Sequence, residues 1–211
     1  DQERQADLLG LAYLNRSQYR PQAAAQVWEN LMGEMSASAS AKGLSKPNFK
    51  KIAFTASHPP EGERASYLAD LAAPEGAGRD DGAARYRAAL AAWTPQFLED
   101  QIKLNDFGGS EYLIQALADD GWTAQLWFSR GELYRSRGHP RDLTQAAEFY
   151  ANAIKIDPNF VEAYRGLGLS RLKTGSRSEA WDALRTYLRL KPDASDANMI
   201  RMMLPKETTD K

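Results

Sequence analysis

The sequence contains no cysteine, so a disulfide framework and thiol chemistry are both excluded. It also lacks an apolar run of the roughly 20 residues that a membrane-spanning helix needs. Charge of neither sign dominates: 27 Lys and Arg face 28 Asp and Glu, for a net charge of -1. That balance, with no basic stripe, argues against nucleic acid as a partner. Histidine is scarce, with only His58 and His139 in the chain.

Strand-like alternation is confined to a short run near Ile52–Phe54, whereas nearly every other segment repeats its apolar residues with helical spacing. Hydrophobic residues make up 43% of the chain and charged residues 26%, as in ordinary globular proteins. The sequence therefore predicts an all-α fold.

One pattern of six residues occurs twice between Gly121 and Pro192. The first copy is Trp127, Gly131, Tyr134, Ala146, Tyr150 and Pro158, and the second is Tyr164, Gly168, Arg171, Ala180, Leu184 and Pro192. The two glycines are 37 positions apart and the two prolines 34. A period in the mid-thirties is the signature of a helix-turn-helix repeat, and the pattern resembles the tetratricopeptide repeat (TPR) family.

The glycines of the repeat are expected where helices pack closely or where the chain turns. Glycine inside a helix costs about 1 kcal/mol relative to alanine, a cost that is tolerable where a second helix approaches closely. Gly138 and Gly175 are expected at the turns inside each pair. Residues 96–120 resemble a degenerate helical pair and residues 195–204 a cap, so the predicted solenoid spans 96–204, followed by a tail at 205–211.

Upstream of the solenoid, residues 1–16 and the residues from Pro21 to about Met35 show helical periodicity. Ala6, Leu9, Gly10, Tyr13 and Leu14 share one face of the first helix, and the second helix is expected to bury Ala24, Val27, Trp28 and Leu31. The Ser/Ala-rich stretch 36–43 is expected to be mobile. The glycine-rich stretch 74–82 is expected to be a linker, which with a leading helix extends to residue 95.

Four groups of residues in the first 70 positions carry a second resemblance. They are Glu3, Ala6, Asp7 and Gly10; Tyr19, Pro21, Ala23 and Ala24; Trp28 and Leu31; and Ser57, His58, Pro59 and Arg64. The order and spacing resemble the CAAX prenyl protease and HtpX-like zinc metallopeptidases. More narrowly, they are similar to the periplasmic, BepA-like members, in which a TPR module follows the peptidase domain.

The resemblance implies that residues 1–73 are the rear of a gluzincin peptidase domain. Glu3 matches the third zinc ligand and Asp7 the acidic residue one turn later, which orients a ligating histidine. His58 and Arg64 match residues near the catalytic cleft. For His58, an approach to metal or substrate and a turn residue bonded to a carboxylate both remain open. Taken alone, a Glu and an Asp four apart are more often solvated surface than a site.

The HExxH motif that supplies two zinc ligands and the general base is absent from the sequence. A catalytic zinc site needs three protein ligands, so this chain alone is not expected to be a protease or to bind zinc. We expect it to be a C-terminal piece of a longer zinc endopeptidase of the bacterial cell envelope, periplasmic or membrane-associated by resemblance. The composition itself is equally compatible with the cytosol.

Two hypotheses for function follow. In the first, the repeats recruit a substrate or protein partner to a zinc endopeptidase. In the second, the chain is a non-enzymatic scaffold that binds an extended peptide in the groove lined by the first helix of each pair. The expected groove residues are Gln125, Phe128, Glu132, Arg135, Ser136, Glu162, Arg165, Leu169 and Lys173.

Overall fold

A computed structural model describes residues 2–51 and 58–205 of the chain. Ile52–Phe54, Ser57 and residues 206–211 of the predicted tail lie outside the described residues. The α-helices are Gln2–Arg16 (α1), Ala23–Ala41 (α2), Glu61–Leu71 (α3), Ala83–Leu90 (α4), Thr94–Lys103 (α5), Phe107–Leu117 (α6), Ala124–Arg137 (α7), Pro140–Ile156 (α8), Val161–Thr174 (α9), Arg177–Leu190 (α10) and Ala197–Met203 (α11). The described part contains no β-strand, and the all-α prediction is confirmed.

The chain divides into two compact units, Asp1–Thr94 and Pro95–Lys211. In the first unit, α3 packs against both α1 and α2. The core of this unit is small and is formed by Leu11, Ala25, Tyr67, Leu68 and Ala72. Among the described residues of either unit, no helix is both long and apolar enough to cross a bilayer.

The Ser/Ala-rich stretch 36–43 is helical as far as Ala41, so the expectation of a mobile segment is wrong. Alanine has the highest helix propensity of all residues, and Ala39 is buried. The serines do not interrupt the helix: Ser36 Oγ donates to the Met32 carbonyl, one turn earlier, at 2.7 Å.

Residues 74–82 differ from the predicted linker because they pack against the loop that joins α1 to α2. A 3₁₀-helix, Pro74–Gly76, places Gly76 against Pro21, where a Cβ on Gly76 would lie 2.5 Å from the proline Cδ. The Arg20 amide donates to the Asp80 carbonyl at 2.9 Å. The stretch is therefore part of the first unit, which ends at Thr94.

The apolar face predicted for α1 is largely exposed, and only Leu11 of this helix is buried. Leu9 and Tyr13 face solvent, with Tyr13 69% exposed. On α2, Val27 is also exposed, whereas Trp28 is half-buried. The buried-stripe prediction for α2 is wrong for Val27 and Leu31, which are both exposed.

The second unit is built from helices that pack on their neighbours in chain order, from α6 to α11. Gly138 and Gly175 end α7 and α9 in the left-handed conformation, with φ of 73° and 93°, as expected for a helix C-terminus. His139 is exposed and caps α8: its Nδ1 accepts from the Arg141 amide at 3.3 Å.

Helix α6 begins at Phe107, three residues before Ser110, although serine is a residue type that often caps helices. The Asp106 side chain is the cap, because its Oδ1 accepts from the Gly109 amide at 3.4 Å. Ser110 lies fully buried within the helix.

The glycines of the repeat make room for two side chains of the second helices. The Tyr150 ring on α8 is fully buried between Gly131 and Gly166, where a Cβ on either glycine would lie within 2.6 Å of a ring carbon. On α10, Leu184 occupies the equivalent space against Gly168. The helix-pair packing predicted from the repeat pattern is therefore observed.

We expect Gly168→Ala to destabilise the second unit by about 1–3 kcal/mol, since the added Cβ lies 2.5 Å from Leu184 Cγ and overpacks the core. Calorimetry of Gly168→Ala, Leu184→Ala and the double variant measures the coupling between the two sites. Lys173→Ala on the exposed side of α9 is the control. If the destabilisation of the double variant equals the sum of the two single destabilisations, the contact between residue 168 and Leu184 is not the cause.

Candidate functional site

The first unit contains a cluster of charged side chains from α1 and α3. Glu3 and Asp7 lie one turn apart on α1 and therefore on one face. Arg64, in the first turn of α3, lies between them, and His58 precedes the same helix. The structure thus brings together all four residues that the resemblance singled out in the N-terminal part of the chain.

Asp7 and Arg64 form a bidentate ion pair. Arg64 Nε donates to Asp7 Oδ2 at 2.7 Å, and Nη2 donates to Oδ1 at 2.6 Å. The Tyr67 hydroxyl donates to Asp7 Oδ2 as well. The pair is well shielded, because the side chains of Arg64 and Asp7 are only 12% and 14% exposed.

Glu3 is the outer carboxylate of the cluster, with about a third of its side chain exposed. Its Oε2 accepts from Arg64 Nη1 at 2.5 Å, and its Oε1 pairs with His58 Nδ1. Of the two roles left open for His58, this chain shows the turn residue bonded to a carboxylate. The His58 side chain is 67% exposed, so its other nitrogen is accessible.

Trp28 of α2 covers one face of the cluster. The Arg64 guanidinium carbon lies 3.9 Å from the centroid of the Trp28 ring, a close cation–π contact. A second such contact places the Arg4 guanidinium 4.9 Å from the Tyr67 ring centroid. Helices α1, α2 and α3 therefore all contribute to the environment of Arg64.

Burial and charge have opposite effects on Asp7. Burial raises the pKa of Asp7, but the hydrogen bonds from Arg64 and Tyr67 and the charge of Arg64 lower it further, so the pKa lies below its ordinary value. Burial, the hydrogen bond to Asp7 and its negative charge raise the pKa of Tyr67 to about 12. Asp7 is thus ionised and Tyr67 protonated at neutral pH.

The residues of the cluster do not make up a complete zinc site. Within residues 2–51 and 58–205, no group of three His, Cys, Asp or Glu side chains is arranged to hold a metal ion. A catalytic zinc ion needs three protein ligands and one open position. Glu3 has the chemistry of one such ligand.

The expected groove residues of the second unit are largely engaged in contacts within the repeat. Glu132 accepts from the buried Tyr150 hydroxyl at 2.5 Å and from Arg135 Nε at 3.1 Å. The hydrogen bond to Glu132 raises the pKa of Arg135, and burial beside Glu132 raises that of Tyr150. Glu132 therefore connects the two helices of one repeat.

A similar arrangement occurs one repeat later. Asp196 pairs with Arg165 Nε and accepts from the Tyr187 hydroxyl at 2.6 Å. Glu162 pairs with Lys191 at 3.0 Å. Both Arg135 and Arg165 therefore have carboxylate partners inside the solenoid, Arg135 on its own helix and Arg165 in a segment 31 residues later.

The remaining groove residues divide into packed and exposed ones. Phe128 packs against Tyr150 and Phe160, and Leu169 packs against the core around Leu184. Gln125 donates to Ser129, and Ser136 donates to the Leu133 carbonyl. Lys173 is exposed near the end of α9.

Two residues of the N-terminal cluster were not assigned to a site from the sequence. The spacing of apolar residues predicts Trp28 on the buried stripe of the second helix and does not single out Tyr67. A signal was present, because Arg64 and Tyr67 are three apart and therefore share one face of α3. The contact with Trp28, 36 positions earlier, depends on tertiary packing.

Comparison with known families gives two matches. Residues 1–72 match the model of peptidase family M48, and residues 131–175 match a TPR repeat. No curated protein matches the chain. The two matches confirm the predicted combination of part of a metallopeptidase domain with a TPR module.

We expect Asp7→Asn to lower the unfolding free energy of the first unit by about 3 kcal/mol near neutral pH, since it leaves Arg64 shielded without its main counter-charge. The native pKa of Asp7 is depressed, so its contribution is complete above the ordinary value of 3.8 and is lost as the pH falls through the lower native value. The difference between wild type and variant should therefore shrink as the pH falls below 3.8. Urea unfolding followed by circular dichroism measures it.

Asp70→Asn, at an exposed position of α3, is the matched control and should change little at any pH. Equal unfolding midpoints for Asp7→Asn and wild type near neutral pH would contradict the importance of this ion pair.

Proposed function

Because the chain joins part of an M48 peptidase domain to a TPR module, we propose that it is the C-terminal part of a zinc-dependent endopeptidase. Residues 1–72 then carry the third zinc ligand, Glu3, and the repeats recruit a substrate or a protein partner. The chain by itself is inactive in this proposal, because the HExxH helix with the other two ligands and the general base belongs to another segment.

The observation that carries the proposal is the arrangement around Glu3. Arg64 holds Oε2, while Oε1 pairs with Nδ1 of the exposed His58. A carboxylate that a cation holds in place, and whose side chain is about a third exposed, is suited to bind a metal ion. Zinc would supply a Lewis acid there when bound.

Asp7 has a different place in the same proposal. Its two oxygens accept three hydrogen bonds, from two Arg64 nitrogens and from Tyr67. It is therefore committed to orienting neighbouring groups rather than to binding a metal. In the assembled peptidase we propose that Asp7 maintains the position of the Glu3 face of α1.

The second candidate function is a scaffold without enzymatic activity, in which the TPR module is the functional part. TPR modules act in protein–protein interaction, and the match to residues 131–175 supports this component in either case. The exposed Lys173 and the half-buried Phe128 and Leu169 suit an extended peptide with acidic and apolar groups. The scaffold is favoured only if Glu3 proves irrelevant to metal binding.

The resemblance to periplasmic peptidases leads us to propose the bacterial cell envelope as the location of the parent protein. Fractionation of cells that produce the natural protein tests this, and recovery in the cytosolic fraction alone would contradict it.

We expect Glu3→Gln to reduce zinc affinity by about 10- to 100-fold or more, and to abolish peptide hydrolysis, in the protein that includes the natural preceding sequence. The neutral amide is a much weaker zinc ligand than a carboxylate. Metal analysis of the purified protein, together with cleavage of a casein substrate, measures both effects.

Glu29→Gln, on the exposed side of α2, is the control and should retain zinc and activity. A preceding sequence without HExxH, or a Glu3→Gln protein with full zinc content, would overturn the catalytic part of the proposal.

For the TPR module, we expect Lys173→Glu to weaken peptide binding about tenfold, by placing like charge against acidic residues of the ligand. Binding to an array of extended peptides with acidic and apolar residues measures the effect. Lys155→Glu, at an exposed position on α8, is the control on the second helix of the pair. Equal effects of the two substitutions would show that the first helices do not line the binding surface.

A further inference from the structure

We propose that Trp28 and Tyr67 are positioning residues of the Glu3 site: together they hold the Arg64 guanidinium in the one orientation that contacts Asp7 and Glu3 at the same time. The inference rests on the proposed function only in treating Glu3 as the functional group. The contacts themselves lie entirely within the first unit.

Hydrogen bonds to two carboxylates hold Arg64 within the plane of its guanidinium group. The guanidinium is planar and carries five N–H donors in a rigid fork. Nε and Nη2 are bound to Asp7, and Nη1 is bound to Glu3, so three nitrogens are engaged within one plane. These bonds fix rotation within that plane, but not displacement perpendicular to it.

Trp28 supplies the perpendicular contact. Its ring lies 3.9 Å from the guanidinium carbon, close enough to prevent movement of Arg64 towards α2. Guanidinium groups stack on indole rings by cation–π attraction and by dispersion. Because Trp28 belongs to α2 and the two carboxylates belong to α1, the stack also fixes Arg64 relative to both helices.

Tyr67 acts from the side of Asp7. Its hydroxyl donates to Oδ2, the same oxygen that accepts from Arg64 Nε. Tyr67 is buried and lies one turn after Arg64 on α3, so its position is fixed by the core. Without this hydroxyl the Asp7 carboxylate could rotate and take Arg64 away from Glu3.

Alternatively, Trp28 only fills space in the core. Substitutions of Trp28 distinguish this role from contact of its ring face with the Arg64 guanidinium. Trp28→Leu keeps an apolar side chain but has no ring face, whereas Trp28→Phe keeps a ring face. Tyr67→Phe removes one hydroxyl and keeps the packing of the ring. If the two residues position Arg64, Trp28→Phe should still hold the guanidinium in place. Tyr67→Phe should release it, because the hydrogen bond to Asp7 is lost.

The experiment measures hydrogen exchange of the Arg64 Nε–H by NMR in the full 211-residue chain, without metal. We expect Trp28→Leu and Tyr67→Phe to raise the exchange rate about tenfold or more, and Trp28→Phe to stay within about threefold of wild type. The matched controls are Trp93→Leu and Tyr13→Phe, at exposed positions of the same unit, which should leave the rate unchanged.

Unchanged exchange in both Trp28→Leu and Tyr67→Phe would overturn the proposal, as would equal effects of leucine and phenylalanine at position 28. If Trp28→Leu loses its helical circular dichroism, Tyr67→Phe and Trp28→Phe decide the question. The two proposals fail in different experiments. Full zinc content in the Glu3→Gln protein would contradict the proposed function, whereas the positioning role is decided by the Arg64 Nε–H exchange rates alone.

Discussion

An ion pair between two helices organises the first unit of this protein. Asp7 on α1 and Arg64 on α3 meet through two short hydrogen bonds in a largely shielded position. The apolar core beneath them is small, and only Leu11 of α1 is buried in it. Since α1 contributes so little apolar surface, its attachment to α3 depends on the charged cluster to an unusual degree, and the placement of Glu3 depends on it in turn.

In the second unit, the helices are joined mainly by the packing of apolar side chains. Tyr150 and Leu184 enter spaces that glycines leave on the neighbouring helices. The charged groups Glu132 and Asp196 then tie tyrosine hydroxyls to arginines at the edges of these contacts. The two units thus illustrate opposite balances of apolar packing and ion pairing, one built around a polar cluster and the other around buried side chains.

The repeat and the family could be predicted because local spacing determines both. The positions of Gly131 and Gly168 predict that two helices approach closely. The order and spacing along the chain identify Glu3, Asp7, His58 and Arg64. Three features could not be predicted in this way. The pairing of Arg165 with Asp196 depends on tertiary packing, and the exposure of Tyr13 depends on which helices are present to cover α1. The helical state of residues 36–41 depends on whether alanine propensity outweighs the local preference of serine for turns.

The position of the Tyr150 ring has a consequence for how the solenoid can change as a whole. The ring belongs to α8, yet the space that it fills is formed by Gly131 of α7 and Gly166 of α9. The side chain is thus shared by two successive helix pairs, and neither pair can open without exposing it. Such shared side chains make neighbouring repeats unfold together, and they restrict the insertion or loss of a helix pair to changes that restore a glycine on both sides of the ring.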